Sequence, residues 1–270
     1  MLGKLLYGYK ATQCLYVAAK LNLADYLQSG RKNISELSVL TNTKPEPLCR
    51  VLRCLASLGV FNEEAEGVFS LNQPAEGLLS DSENTMKDFV VLCGEELYRS
   101  AGDLLYSVKT GLPAFDHIYG MTHWQYLDAN PDKAKIFHNA LGKGTEPMLR
   151  EIIGNYDFSS YTNIIDVGGG SGHFLCEILS QYSKSHGTVF DLGNAKKPAL
   201  DHISEKKLSD RCSMVTGDFF ESVPFGGDLY LLKVVLHDWD DRSASLILQS
   251  CRKAMSKNSK LLIIDLAPIL

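Results

Sequence analysis

Apolar residues recur with helical spacing through the first half of the chain. Between residues 12 and 27 they stand three or four positions apart, at Leu15, Ala18, Ala19, Leu23 and Leu27. This spacing predicts one amphipathic helix with a buried face. Similar patterns predict helices over residues 34–40 and 45–58, a two-stranded wing over 59–71, and more helices between 85 and 150, including one over 130–141. The order helix, helix, wing indicates a winged-helix arrangement.

The pattern changes near residue 150, where short apolar runs begin to alternate with amphipathic segments. Strands are predicted at the start of the segment 163–172, over 187–190, just before 217–220, over 228–234 and over 260–264, with a helix over 242–255. Alternation of this kind predicts an α/β fold with a doubly wound, mainly parallel sheet. Ligands of such sheets bind at the carboxyl ends of the strands.

The charge of the chain argues against nucleic acid as a partner. Its 270 residues include 27 Lys+Arg and 32 Asp+Glu, a net charge of −5. The winged-helix region over residues 32–80 carries four basic and six acidic residues. A DNA-binding regulator would need a basic surface to meet phosphates, so we favour a structural or dimerisation role for this region.

Other features of the sequence predict a cytoplasmic protein that does not bind membranes. No apolar run approaches the roughly 18 residues of a membrane span, and the first residues lack the apolar stretch of a signal peptide. The seven cysteines are scattered and form no C-x-x-C pair, which is typical of reduced thiols. The histidines show no metal-ligand spacing with cysteine or carboxylate residues, so no metal site is expected.

A cluster of glycines joins the first strand of the second half to a helix. Gly168, Gly170 and Gly172 lie in the segment NIIDVGGGSG at 163–172. Glycines allow positive φ and a close approach of backbone to ligand, and the helix offers free N–H groups. A nucleotide-like cofactor suits this turn. A dinucleotide fingerprint would need G-x-G-x-x-G, but the sixth position is His173, which argues against NAD.

Acidic residues follow the next two strands. Asp191 ends the second strand and can accept hydrogen bonds from both hydroxyls of a ribose. Asp218 follows the third strand beside Phe219, so a carboxylate and an aromatic wall stand together where an adenine could bind.

Four segments together resemble the small-molecule O-methyltransferase family that includes plant caffeate and flavonoid, acetylserotonin and bacterial polyketide methyltransferases. They are DVGGGSG (166–172), FDL (190–192), GDFF (217–220) and LKVVLHDWDD (232–241). With the winged-helix front end, the resemblance covers nearly the whole chain. It implies an all-helical winged-helix dimerisation domain over residues 1–100, a helical linker and acceptor-pocket segment over 101–150, a Rossmann-like methyltransferase domain over 151–270, and a homodimer.

The resemblance also implies S-adenosylmethionine as cofactor and a site for each of its parts. The glycine turn would hold the methionine part, Asp191 the ribose, and Asp218 with Phe219 the adenine. The cofactor-binding residues implied in this way are Asp166, Gly168, Gly170, Gly172, Asp191, Asp218, Phe219 and Lys233. His237 matches the family's catalytic base.

Elementary chemistry supports a histidine base and an aromatic hydroxyl acceptor. Methyl transfer from a sulfonium is an in-line displacement, so the protein must align the two reactants and remove a proton. Histidine titrates near neutral pH, and a phenol with a pKa of about 10 is easier to deprotonate than an alkyl alcohol. Asp238, Asp240 and Asp241 could orient His237, but acidic residues at a helix start are equally explained by the helix dipole.

Aromatic residues in the helical segment before residue 150 could line an acceptor pocket. They are Phe115, Tyr119, Trp124 and Tyr126. Aromatic residues in helices are more often part of a core, which is the interpretation we favour for each of them.

The chain departs from the family in two respects. It ends at Leu270, after the fifth strand, whereas relatives continue to a final strand pair and a G-x-E-R-T motif whose glutamate flanks the catalytic histidine. We therefore expect missing C-terminal strands, as in a truncated product, a fragment or a chain completed by a partner. Asp265 stands where many relatives have a glutamate.

These departures leave a second functional hypothesis open beside the enzyme. The chain could be a catalytically impaired homologue that binds cofactor or a partner subunit in a regulatory role. A relative that uses the bound cofactor for another reaction, such as hydroxylation, is a further alternative.

Overall fold

The computed structural model describes residues 2–82, 85–143 and 146–265. The chain forms two compact units. The first unit consists of Met1–Ala129 with Asn139–Gly144, and the second of Asn130–His138 with Thr145–Leu270.

Helices dominate the first unit. They are α1 (Leu2–Lys20), α2 (Leu23–Leu27), α3 (Ile34–Leu40), α4 (Pro45–Ser57), α5 (Gln73–Glu76), α6 (Lys87–Gly94), α7 (Glu96–Gly102), α8 (Leu104–Thr110), α9 (Ala114–Tyr119) and α10 (His123–Ala129). The prediction of one helix over residues 12–27 is wrong, because Asn22 has a left-handed backbone (φ 56°) that separates α1 from α2. Asparagine tolerates this conformation better than most residues, so it can end one helix and begin the next.

The predicted order of helix, helix and wing is present in the first unit. Helix α3 occupies the predicted residues because Asn33 and Glu36 form a capping box. The Glu36 amide donates to Asn33 Oδ1 at 2.9 Å, and the Asn33 amide donates to Glu36 Oε2 at 2.8 Å. Helix α4 begins at Pro45, a residue suited to the first helical turn.

The first unit is not all-helical, which corrects that part of the expectation. Strands β1 (Lys32–Asn33), β2 (Asn62–Ala65) and β3 (Val68–Ser70) form an antiparallel sheet in the order β1-β3-β2. The wing strands β2 and β3 were expected, but β1 was not. A two-residue strand carries too little alternation of polar and apolar residues to be recognised in a sequence.

The second unit is a doubly wound α/β domain, as predicted. Its helices are α11 (Pro131–Lys143), which begins in this unit, α12 (Glu146–Asn155), α13 (His173–Gln181), α14 (Lys196–Glu205) and α15 (Asp241–Ala254). Its strands are β4 (Asn163–Val167), β5 (His186–Asp191), β6 (Cys212–Thr216), β7 (Leu229–Lys233) and β8 (Lys260–Ile264). Neighbouring strands pair in parallel in the order β6-β5-β4-β7-β8.

Alternate residues of the strands bury opposite faces of this sheet. Ile164 belongs to a core with α12, α13 and α14, whereas its neighbour Ile165 belongs to the core formed with α15. Helices cover both faces, so the strands read as nearly continuous apolar runs. Because the strands are parallel, the residues that follow β4, β5, β6, β7 and β8 gather at one edge of the sheet.

Three further observations concern the predicted localisation and chemistry. No helix in the described parts of the chain is long and apolar enough to cross a membrane. Within residues 2–82, 85–143 and 146–265, no group of three or more His, Cys, Asp or Glu side chains could hold a metal ion. All seven cysteines are free thiols; Cys176, Cys212 and Cys251 are buried, and the other four are only half-buried.

Candidate active site

The glycine turn connects β4 to α13 and requires glycine for two reasons. Gly168, Gly170 and Gly172 have φ values of 71°, 56° and 74°, which lie in the left-handed region. Space is also limited. A Cβ atom on Gly168 would lie 2.9 Å from Cγ2 of Val235, and one on Gly172 would lie 2.9 Å from Cγ2 of Val189. The turn is therefore packed directly on β5 and on the loop that follows β7.

Asp191, the last residue of β5, is tied to this turn. Its Oδ2 accepts a hydrogen bond from the Gly170 amide at 2.7 Å, and its Oδ1 accepts one from the Leu192 amide at 2.6 Å. Burial raises the pKa of Asp191, and these two amides and the nearby His138 oppose the rise. Each carboxylate oxygen has two lone pairs, so both oxygens keep a place for a hydroxyl donor.

A second carboxylate, Asp166, lies in β4 beneath the glycine turn. It is 1% exposed, and Oδ2 has no hydrogen-bond partner among the residues that the structure describes. A Cβ atom on Gly169 would lie 2.7 Å from that oxygen. Burial raises the pKa of Asp166 to about 7, although the charge of Lys233 lowers it. Burial likewise lowers the pKa of Lys233, the last residue of β7, and the charge of Asp166 opposes that change.

An aromatic wall follows β6 beside the third acidic residue. Asp218 is held by a hydrogen bond from the Phe220 amide to its Oδ1 at 2.8 Å. The rings of Phe219 and Phe220 lie 4.9 Å apart, and both meet the ring of Trp239 edge-on. Phe219 also borders the glycine turn, since its Cε1 is 3.6 Å from the position of a Cβ on Gly168.

His237 lies on a short 3₁₀ turn (Leu236–Asp238) that follows β7, and two carboxylates flank its ring. Nδ1 is 2.7 Å from Oδ1 of Asp265, and the His237 amide donates to the other oxygen of Asp265 at 3.2 Å. On the opposite side, Nε2 is 3.3 Å from Oδ1 of Asp238. The side chain of His237 is 35% exposed, so a small molecule can reach the ring.

The structure separates the candidates for orienting His237. Asp265, which follows β8, contacts Nδ1 of His237 through Oδ1 and accepts a hydrogen bond from the His237 backbone amide through Oδ2. Asp240 is the N-cap of α15, where its Oδ1 accepts from the Ser243 amide at 2.7 Å, and Asp241 lies in the first turn of that helix. The helix explanation therefore applies to Asp240 and Asp241. The carboxylates that contact the His237 ring are those of Asp238 and Asp265.

A loop with an unusual backbone brings His237 to this place. Val234 has φ 57°, which a β-branched residue rarely adopts, and its amide donates to the Ile264 carbonyl at 2.7 Å. The hydrogen bond fixes the loop after β7 against the end of β8, where Asp265 follows. Nothing in the sequence pattern indicates this strained position.

The candidate pocket aromatics lie in the first unit and pack on one another. The Phe115 ring is 4.5 Å from Tyr119, 4.9 Å from His123 and 5.4 Å from Tyr126. Phe115 is buried, at 7% exposed. Burial supports the core interpretation for Phe115, whereas Tyr119, Trp124 and Tyr126 are only half-buried and for them it stays a prediction.

One functional candidate, His138, was missed by sequence reasoning. His138, on α11, is 4% exposed and lies against the glycine turn, and Asn194 contacts its ring. In the sequence His138 is one of several histidines without a metal-ligand spacing, and no local signal distinguishes it.

The residues at this edge of the sheet fit S-adenosylmethionine. That cofactor has ribose hydroxyls, an adenine ring, and positive charge on its sulfonium and ammonium groups. Asp191 offers acceptors for hydroxyls, and Phe219 with Asp218 offers a wall and an acceptor for a base. Asp166 offers a buried acceptor that no described residue contacts by a hydrogen bond. The backbone of the glycine turn leaves room for a ligand to approach closely.

Comparisons with known proteins agree with this geometry. Residues 102–268 match the O-methyltransferase domain, and residues 4–81 match the O-methyltransferase dimerisation domain. The chain is 39% identical to phenazine O-methyltransferase PhzM of Lysobacter antibioticus over 98% of this chain and 78% of that protein. It is 35% identical to a 3-amino-4-hydroxybenzoate 4-O-methyltransferase of Streptomyces cremeus, over 97% of this chain and 72% of that protein.

A solved structure extends the similarity to the cofactor. The O-methyltransferase NcsB1 from neocarzinostatin biosynthesis, in complex with S-adenosylmethionine and 2-hydroxy-5-methyl naphthoic acid, is 30% identical to the chain with a TM-score of 0.82. The match covers 93% of this chain and 78% of that one. The chain therefore belongs to the family of S-adenosylmethionine-dependent O-methyltransferases.

Proposed function

We propose that the chain transfers a methyl group from S-adenosylmethionine to a phenolic hydroxyl of a small aromatic compound, with His237 as general base. The observation that carries this proposal is the 2.7 Å contact between His237 Nδ1 and Asp265 Oδ1. An ionised carboxylate only accepts hydrogen bonds, so the proton of a neutral imidazole resides on Nδ1. Nε2 then carries the lone pair that accepts the proton of the acceptor hydroxyl.

Both carboxylates beside His237 favour the state that follows proton transfer. The imidazolium has a proton on each nitrogen, which faces Asp265 on one side and Asp238 on the other. The bound cofactor supplies an electrophilic methyl group on its sulfonium. The protein aligns the acceptor oxygen for in-line attack and receives the proton at Nε2.

The cofactor roles proposed for the other residues follow from their positions. The glycine turn would hold the methionine part, Asp191 the ribose hydroxyls, and Asp218 with Phe219 the adenine. Asp166 would offer a buried acceptor beneath the turn, and the charge of Lys233 acts on that carboxyl group.

A phenolic acceptor is supported by acidity and by the relatives. A phenol has a pKa of about 10, so a histidine can assist its deprotonation far better than that of an alkyl alcohol. The relatives cited above are named for methylation of a phenazine and of a hydroxybenzoate, and NcsB1 was solved with a hydroxylated naphthoic acid.

The test is transfer of labelled methyl groups to a panel of phenols by wild-type chain and by His237→Asn. Asparagine keeps an N–H donor near Asp265 but lacks Nε2, so turnover should fall by about 10²–10⁴-fold. Affinity for S-adenosylhomocysteine should not change. His186→Asn, at an exposed histidine that begins β5, is the matched control. Unchanged turnover of His237→Asn would exclude His237 as the base. A wild-type chain that binds cofactor without transferring methyl would instead support the impaired homologue.

We also propose that the chain forms a homodimer through its first unit. The match to the dimerisation domain supports this. So do three exposed apolar side chains of α1, Leu2 (77% exposed), Leu5 (67%) and Leu6 (69%). Exposed apolar clusters of this kind are typical of interfaces. Sedimentation equilibrium should give a dimer, and Leu6→Glu should weaken it; a wild-type monomer would refute the proposal.

The domain boundaries 1–100, 101–150 and 151–270 remain a prediction.

A further inference from the structure

The imidazole of His138 is buried beside the glycine turn and has no role in the mechanism above. It is 4% exposed and belongs to the second unit, on α11. The backbone carbonyl of His138 accepts a hydrogen bond from Ser171 Oγ at 3.3 Å, which fixes this part of α11 against the turn. A buried polar ring needs partners for both of its nitrogens.

One nitrogen of His138 has its partner in the protein. Nε2 is 3.1 Å from Oδ1 of Asn194, on the short 3₁₀ turn (Gly193–Ala195) after β5. An amide oxygen only accepts hydrogen bonds, so Nε2 carries the proton. Burial lowers the pKa of His138, which favours the neutral form of the ring. Nδ1 is consequently a hydrogen-bond acceptor.

The other nitrogen faces the glycine turn. Nδ1 of His138 lies 3.4 Å from the point where a Cβ atom would stand on Gly170. Gly170 is the same residue whose amide donates to the Asp191 carboxylate. Because Gly170 has no side chain, Nδ1 stands close to the backbone of the turn.

We infer that His138 is a cofactor-binding residue whose Nδ1 accepts a hydrogen bond from the α-ammonium group of the cofactor. This inference rests on the proposed placement of the methionine part on the glycine turn. Within that part the ammonium is the group that donates hydrogen bonds, because the carboxylate only accepts them and the sulfonium has no hydrogen to donate. A cationic donor and a neutral acceptor form a hydrogen bond stronger than one between neutral groups.

Two substitutions separate the roles of the two nitrogens. His138→Asn places an acceptor oxygen near the position of Nδ1 but loses the contact to Asn194. His138→Gln places an amide donor near the position of Nε2 and can keep that contact, but it loses the acceptor at Nδ1. A role in folding alone would favour the glutamine variant, whereas cofactor binding favours the asparagine variant.

The experiment is calorimetric titration of the wild-type chain and both variants with S-adenosylhomocysteine, which shares the methionine part. An analogue in which hydrogen replaces the α-amino group is titrated in parallel. We expect S-adenosylhomocysteine to bind about tenfold or more weakly to His138→Gln and within about threefold of wild type to His138→Asn. The three proteins should bind the analogue with similar affinity.

Other outcomes overturn the inference and are distinct from a failure of the proposed function. The inferred contact with the ammonium group would be refuted if His138→Gln lost affinity equally for both ligands. It would also be refuted if His138→Asn lost more affinity for S-adenosylhomocysteine than His138→Gln. A wild-type chain that binds neither ligand would contradict the proposed function itself.

If a variant does not fold, a measurement on the unsubstituted chain still tests the inference. With ¹⁵N-labelled histidine, the His138 resonances should report a proton on Nε2 and none on Nδ1. The Nδ1 resonance should move when S-adenosylhomocysteine binds and move much less with the analogue. A proton on Nδ1, or equal changes with both ligands, would refute the assignment.

Discussion

Gly172 offers a direct test of the argument that the glycine turn is fixed by both backbone conformation and space. Its φ is 74°, and an alanine Cβ in this left-handed region costs about 1–2 kcal/mol. The same Cβ would stand 2.9 Å from Cγ2 of Val189, closer than the 3.5–4.0 Å at which carbon atoms attract. Val189 is fully buried in β5, so its side chain has little room to move away from the new Cβ. Overpacking of this kind costs about 1–3 kcal/mol.

A second glycine of the same unit isolates the steric part of this cost. Gly226 has φ 94°, and a Cβ there would meet no atom within 4 Å. Gly226→Ala therefore carries the conformational cost alone. Both substitutions restrict the unfolded chain equally, so that effect cancels in the comparison. We expect Gly172→Ala to lower the free energy of unfolding by about 2–5 kcal/mol, and Gly226→Ala by about 1–2 kcal/mol.

Urea denaturation followed by tryptophan fluorescence measures this difference in the second unit. The chain has two tryptophans, Trp124 in the first unit and Trp239 in the second. A Trp124→Phe background leaves Trp239 as the reporter. The m-value should be the same in both glycine variants, so that midpoints report stability. If Gly172→Ala is no less stable than Gly226→Ala, the close packing of the turn on β5 is refuted.

Two further predictions concern the carboxylates of the site. In Asp265→Asn a single amide oxygen replaces two carboxylate oxygens, so it cannot accept hydrogen bonds from both Nδ1 and the backbone amide of His237. Turnover should fall by about 10–100-fold, and affinity for S-adenosylhomocysteine should not change. Equal turnover would refute the orienting role. The pKa of Asp166 is about 7 in the folded chain, against an ordinary value of 3.8. Between these two pH values the folded chain keeps the proton of Asp166 and the unfolded chain has lost it. Its contribution to stability should therefore fall as pH rises from about 4 to about 7. Cofactor-free Asp166→Asn should lack that fall in urea denaturation, and parallel curves for the two proteins would contradict the prediction.

The sequence determined the fold class because the relevant signals are local. Alternating strands and helices after residue 150 define a parallel doubly wound sheet, and parallel strands must bring their carboxyl ends to one edge. Asp191 ends one such strand and His237 follows another, so their location at the same edge could be deduced before any distance was known. The capping residues of α3 and the proline of α4 likewise set helix starts through contacts within a few residues.

The tertiary structure decided which side chains meet across the sheet edge. Asp265 reaches His237 because Val234, in a rare backbone conformation, bonds to β8, which is remote in sequence. His138 meets Gly170 because α11 packs against a turn that begins some thirty residues later. Neither contact leaves a periodic or compositional trace, since it depends on packing between distant segments. Local patterns fixed which edge of the sheet carries these residues, and long-range packing fixed which carboxylate contacts His237 and which histidine lies against the glycine turn.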